Sequence, residues 1–296
     1  MQKEHECCIL CGGKYNELEN YSKNNLVKCQ NCKFVFCKKI PSEQELINHY
    51  QGYGRNDYLS PITIKRYEEL LDEFEKFRKT NKIIDVGCGI GYFLEVAKKR
   101  GWEVYGTEFT ENAVKICAEK GINMHIGELN IDNYEPESFD IITSFEVIEH
   151  INNPNEELNK FHSILRKGGL VYCTTPNFNS LIRYKLKGNY DIISYPEHLA
   201  YYTPKTLRFA FKKNKFITQK LNATGISVSR FKNSTANMKQ IKKVEKPISK
   251  QSSDELIRNK MEHNSLLGAI KKIINKCLTI TGTGDALKIF AIKEDK

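Results

Sequence analysis

The stretch IIDVGCGIGYF, residues 83–93, runs from apolar residues into three closely spaced glycines, the pattern of a buried strand turning sharply into a helix. The glycine spacing is G-x-G-x-G over Gly87, Gly89 and Gly91, whereas a dinucleotide fingerprint reads G-x-G-x-x-G and would carry a small residue where Tyr92 stands. Asp85 lies just before the loop, still within the strand. An acid there repels phosphate and suits a cationic ligand or an ammonium group. The loop is therefore expected to bring backbone close to a ligand other than a nicotinamide dinucleotide.

Outward from residue 82 the chain repeats a short apolar run, a glycine or polar turn and an amphipathic helix. The runs KIIDVG, WEVYGTEF, INMHIG, FDIITSF and LVYCTTP read as strands, with helices expected near 91–100, 111–120 and 154–166. Gly101 and Gly121 stand where helices should end, and Asn153 with Pro154 marks a helix start. Continuous apolar strands joined by helices predict an α/β fold with a doubly wound, mostly parallel sheet. A helix opening at Thr203 and Pro204, the strand FITQKLNA and a last edge strand DALKIFAIKE bring the strands to seven. In such sheets a ligand sits beyond the carboxyl ends of the strands, near the switch in strand order. Glu108 ends the second strand, where a carboxylate can accept both hydroxyls of a ribose.

The N-terminus carries a different chemistry. Ten cysteines occur in 296 residues, and half of them fall within the first 32. CILC (Cys8 to Cys11) and CQNC (Cys29 to Cys32) form two C-x2-C knuckles separated by 17 residues, the spacing of a structural zinc site. Four thiolates fill a tetrahedral shell and leave no open position for catalysis. Cys7 competes with Cys8 for the first position, although only Cys8 leaves two residues before Cys11; Cys37 is spare.

The formal charge of +10 is uneven. Residues 230–260 hold nine Lys/Arg against three Asp/Glu and residues 1–40 seven Lys against four Glu, so the remaining 225 residues carry only about +1. A near-neutral body argues against a nucleic-acid partner. No apolar stretch approaches the roughly 20 residues that span a bilayer, and the expected location is cytoplasmic.

At this point the residues carry a resemblance. IIDVGCGIGYFLEVAKKRGWEVYGTEFTENAV followed by FDIITSFEVIEHINNPNEELNKFHSILRKGGLVYCTTPN, within residues 82 to about 225, resembles the class I S-adenosylmethionine-dependent methyltransferases, in particular the group of ubiquinone-type O-methyltransferases and sugar methyltransferases. A four-cysteine ribbon in front of such a domain is similar, by analogy, to enzymes of surface-polysaccharide and modified-sugar biosynthesis. The resemblance implies that Gly87, Cys88, Gly89 and Gly91 lie under the methionine part of the cofactor, with Asp85 near its amino end. It further implies Glu108 on the ribose, Phe109 on the adenine, Glu128 at or beside the adenine, and Phe145 beside the sulfonium. The family more often has Asp where Glu108 stands.

Methyl transfer to a hydroxyl needs alignment and a proton acceptor. His150, after the fourth strand, and His198, after the fifth, are the candidates, the second in an aromatic-rich excursion over residues 177–202 that is expected to set substrate identity. For His150 the competing reading is a hydrogen bond within its own loop that positions Glu146 or Glu149. The organisation expected is a zinc ribbon (1–40), a helical connector (41–80), the cofactor-binding core (81–230), a disordered basic insertion (231–262), and a C-terminal helix with the last strand (263–296). That helix, LLGAIKKIINKCL, is expected to pack against the body, the alternative being that its basic face touches a membrane or an acidic partner. The function expected is methyl transfer to a small molecule, a hydroxyl of a sugar or glycan precursor such as a nucleotide sugar, or of a ring compound. The alternatives are an RNA base methyltransferase that grips RNA with the ribbon, and a protein that binds the cofactor without turnover.

Overall fold

A computed structural model describes residues 3–50, 59–238 and 265–294. The run opening at Lys82 becomes the central strand β4 (Lys82–Val86), paired in parallel with β5 (Glu103–Glu108) on one side and β7 (Phe139–Phe145) on the other. From β5 the sheet extends to β6 (Asn123–Ile126), and from β7 to β8 (Leu165–Pro176), β11 (Ala286–Lys293) and β10 (Phe216–Thr224), giving seven strands. Only β11 runs against its neighbours. The chain thus leaves β4 in two directions, and the crevice lies at the carboxyl ends of β4, β5 and β7. The strands are continuous in apolar character because both faces are covered; Ile83, Ile84, Ile141 and Ile142 are fully buried.

Helices α3 (Tyr92–Lys99), α4 (Glu111–Glu119) and α5 (Pro154–Ile164) supply that cover. Asn153 caps α5 by accepting from the Glu156 amide. This helix stops at Ile164, short of the expected 166. Arg166 is drawn into β8 by the fully buried Asp140, 2.5 Å away, whose other oxygen accepts the amides of Lys79, Thr80 and Asn81. Helix α1 (Glu43–Tyr50) opens on a capping box, Ser42 with Glu45, and α2 (Pro61–Phe74) on Ser60.

The cysteine-rich segment folds as β1 (Tyr15–Glu17), β2 (Leu26–Cys29) and β3 (Val35–Cys37), and its sheet takes a fourth strand from far along the chain, β9 (Ala200–Tyr201). Leu10, Phe34 and Phe36 share one buried cluster with Leu158, Phe161 and Phe211 of the body. Three strands of this size have too little apolar surface to fold alone, and here they borrow it from the body.

After β8 come α6 (Leu181–Leu186), then β9, and α7 (Pro204–Lys213), which opens on a Thr203–Thr206 capping box. Residues 231–238 correct the expectation of disorder from 231 onward, because they complete helix α8 (Val228–Met238). Phe231 packs beside the cluster of Tyr190 and Ile192, and the buried Ser234 hydroxyl accepts from the Asp191 amide at 3.0 Å. Residues 239–262 lie outside the described residues. Helix α9 (Ser265–Thr281) lies along β10, yet most of its large apolar side chains face solvent and Leu278 alone among them is buried.

Candidate active site

The glycine loop has the shape its sequence implies. Gly87 has φ +73°, and a Cβ there would stand 2.6 Å from Val147 Cγ2, so the loop after β7 presses directly on the glycine backbone. Gly89 has φ +55° and faces open space, a cradle with room for a ligand. Gly91 opens α3 in a left-handed conformation, and Cys88 turns its thiol against Met124 at 3.9 Å, contributing backbone alone to the loop's outer edge.

Asp85 is buried and accepts from the Thr143 hydroxyl, which donates at 2.7 Å from the adjacent strand. Burial pushes its pKa up to about 7, against the pull of that hydrogen bond and with the added negative charge of Glu108. A buried carboxylate in this condition is a waiting partner for a cation. Glu108 accepts from the Gly89 amide at 3.0 Å and from the Phe109 and Thr110 amides at 2.8 and 3.3 Å, which fixes the carboxylate against the loop with acceptor capacity to spare. Phe109 is 58% exposed, an apolar ring held at the lip. Phe145 is half-buried and packs edge-on against Phe93 and Tyr172, with centroids at 5.1 and 5.5 Å. Tyr67 of α2, which the sequence shows only as part of a packed helix face, closes on Phe93 and Phe145, and burial with the nearby Asp85 charge pushes its hydroxyl up to about 12.

Asp85, the glycine loop and Glu108 therefore converge. Glu128 does not join them. Its loop abuts Glu108, whose carbonyl accepts from Gly127 at 2.8 Å, but its exposed carboxylate pairs with Lys160 of α5 at 3.4 Å. There it borders a cavity of about 740 Å³ lined further by Leu129, Asn153, Asn155 and Glu156.

The two predicted histidines meet. Their rings lie 4.8 Å apart and nearly perpendicular, with Nδ1 of His150 bonded to the Glu197 carbonyl and Nδ1 of His198 to the Ile192 carbonyl, both at 2.7 Å. A carbonyl only accepts, so each Nδ1 carries the hydrogen, and at His198 this leaves Nε2 basic. Burial lowers both pKa values, that of His198 to about 4 with help from its histidine neighbour. Glu149, in the sequence only a neighbour of His150, is buried, its carboxylate Oε2 lacks a partner among the described residues, and Glu149, His150 and His198 bring one ligand-type atom each within 4.8 Å of one another. Glu146, one turn earlier, pairs with Arg230 of α8 at 3.4 Å.

At the other end, Cys8, Cys11, Cys29 and Cys32 place their sulfurs within 4.8 Å of one another, Cys8 to Cys32 at 3.7 Å and Cys11 to Cys29 at 3.4 Å. Burial raises the Cys8 thiol to about 11 and pushes Cys32 higher still, so as bare thiols they resist ionisation that a metal would favour. Cys7 is exposed and outside the cluster, and Cys37 is buried in β3, which leaves the first position to Cys8.

Residues 58–219, more than half of the chain, match the family described as "Methyltransferase domain". The chain belongs to this methyltransferase family. Within 105 residues it is 30% identical to the ubiquinone biosynthesis O-methyltransferase of Pseudomonas syringae pv. tomato, covering 33% of this chain and 45% of that protein. Over 128 residues it is 27% identical to the enzyme of the same name from Bordetella avium, covering 41% and 52%. The chain spans about half the length of the curated relatives it matches. Among solved structures it is similar to a SAM-dependent methyltransferase from Archaeoglobus fulgidus, at TM-score 0.52 and 20% identity over 84% of this chain and 99% of that one. A phosphoethanolamine N-methyltransferase from Haemonchus contortus gives TM-score 0.53 and 18% identity over 88% and 62%. These likenesses give the methyltransferase its class I, Rossmann-like fold. No described helix of the methyltransferase is long and apolar enough to cross a membrane.

Proposed function

We propose that the chain is an S-adenosylmethionine-dependent O-methyltransferase whose acceptor is a hydroxyl on a small ring compound. The observation that carries the cofactor is the buried Asp85 carboxylate beside the open face of Gly89, with Glu108 held against the same loop. These residues fit the group: Asp85 meets its ammonium, Glu108 its ribose hydroxyls and Phe109 its adenine, while Phe145 walls the sulfonium. When bound, the cofactor supplies an electrophilic methyl group, and the protein supplies alignment and a proton acceptor. His198 or His150 accepts the hydroxyl proton at Nε2, each ring being fixed through Nδ1. The ring hydroxyl is favoured over a sugar because the relatives named above are enzymes of ubiquinone biosynthesis. An assay with labelled methyl donor against catechols and quinols, nucleotide sugars and RNA tests this; label confined to RNA or sugars would overturn it.

A second reading of the histidine cluster rests on the orphaned Glu149 Oε2. One carboxylate oxygen and two imidazole nitrogens within 4.8 Å form a donor set for a divalent cation, which would steer and acidify the acceptor hydroxyl in place of a histidine base. The four-cysteine cluster we assign to structural zinc, the ion that a closed all-sulfur tetrahedron suits best.

A further inference from the structure

The C-terminal helix α9 is turned inside out. Leu266, Ile270, Ile273, Ile274 and Ile280 are 69, 41, 64, 44 and 75% exposed. At 100° per residue these positions fall on one arc, opposite the face that meets the body. That inner face is largely polar: the Asn275 side chain accepts from the Gly225 amide at 2.9 Å, and the Thr279 hydroxyl donates to the Ala223 carbonyl at 3.1 Å. The helix thus turns Asn275 and Thr279 to the protein and keeps its large apolar side chains, Leu278 apart, outside. Lys272 and Lys276 are exposed along one border of the arc, and the helix contains no acidic residue. The apolar surface continues past its end, since Leu181 donates its amide to the Thr283 carbonyl at 3.2 Å, and Leu181 and Tyr184 of α6 are 51 and 55% exposed.

We propose that this face docks on an anionic lipid bilayer, with α9 lying in the headgroup region. Charge decides the occupant. A second copy laid along α9 would set its lysines against lysines, and residues 239–264, which contain seven Lys/Arg and four Asp/Glu, would add cations rather than neutralise them. Anionic headgroups complement the lysine border while acyl chains cover the isoleucines, the arrangement of an interfacial amphipathic helix. At 17 residues and with three lysines the helix lies on a bilayer rather than crossing it.

The test is cosedimentation of the full chain with vesicles of equimolar phosphatidylcholine and phosphatidylglycerol, and with phosphatidylcholine alone. The expected result is binding to the anionic vesicles, weakened by high salt and on the order of tenfold or more weaker without phosphatidylglycerol. The pair Lys272→Glu with Lys276→Glu should lose about 30-fold in affinity, and Ile273→Gln with Ile280→Gln about tenfold. Circular dichroism and unchanged donor binding establish that both pairs remain folded. Failure of the folded wild-type chain to bind anionic vesicles overturns the proposal, whether light scattering then finds a dimer or a monomer. Vesicle binding that neither pair weakens also overturns it, by placing the contact elsewhere.

Discussion

The amide of Cys37 donates to the carbonyl of Leu199 at 2.8 Å, tying the last strand of the cysteine ribbon to the residue that follows His198. The pairing continues as Phe36 with Ala200 and Val35 with Tyr201. From the other side, the Glu149 carbonyl accepts the amides of Leu199 and Ala200 at 2.8 and 2.9 Å, so a two-residue strand spans the space between ribbon and histidine cluster. The ribbon is thereby a frame for the candidate proton acceptor.

Loss of the metal should consequently be felt at His198. Replacing Cys29 and Cys32 by Ser should remove about one zinc per chain, measured by inductively coupled plasma mass spectrometry, and raise hydrogen exchange at residues 199–202. Activity should fall while affinity for S-adenosylhomocysteine changes little. Unchanged exchange at 199–202 after complete zinc loss would refute the framing role.

The two glycines should respond oppositely. Gly87→Ala meets Val147 at 2.6 Å in a left-handed backbone and should lose about 2 kcal/mol of stability or more in urea denaturation. Gly89→Ala adds its methyl to open space, so it should cost only the backbone strain, about 1 kcal/mol, yet weaken cofactor binding at least tenfold. Equal effects on stability and binding at both sites would contradict the cradle.

Asp85 should make the ligand-free protein less stable as pH rises. Its carboxyl titrates near 7 when folded and near its ordinary 3.8 when unfolded, so between those values the folded state holds the extra proton. Stability then falls with increasing pH across that window, by an amount on the order of 4 kcal/mol, and levels off above it. Asp85→Asn should flatten the profile of melting temperature between pH 4 and pH 7.

Removing either histidine should spare the cofactor and damage turnover. His198→Ala and His150→Ala are each expected to reduce kcat by roughly 100-fold or more with the Kd for S-adenosylhomocysteine within a factor of about two. Magnesium dependence separates the two readings of the cluster: full activity after chelation favours a histidine base, whereas activity restored by Mg²⁺ and abolished in Glu149→Gln favours the cation.

Much of this architecture was legible because the chemistry was local. A parallel sheet buried on both faces writes continuous apolar runs, and Asp85 and Glu108 stand out as charges at their ends. The partners of those charges were less visible. Tyr67 sits on a regular helical face, and nothing in its spacing distinguishes a core tyrosine from one facing Asp85. Strand β9 is two residues long and pairs with a segment some 165 positions earlier, too short for any period to show. Helix α8 reads as polar linker because the tertiary partners of Ser234 and Phe231 lie far along the chain, around Tyr190 and Asp191. Helix α9 is legible as a helix but not in its orientation: its amphipathic pattern is real, but the pattern cannot say which face meets the protein.

Calorimetric titration of S-adenosylhomocysteine into the wild-type chain and into Asp85→Asn, at a pH above 7, tests the cofactor cradle most directly. The expected outcome is one site per chain in the wild type, weakened on the order of 10- to 100-fold in the variant by loss of a charge-assisted hydrogen bond to the ammonium group. Equal affinities in two folded proteins, or no binding by the wild type, would contradict it.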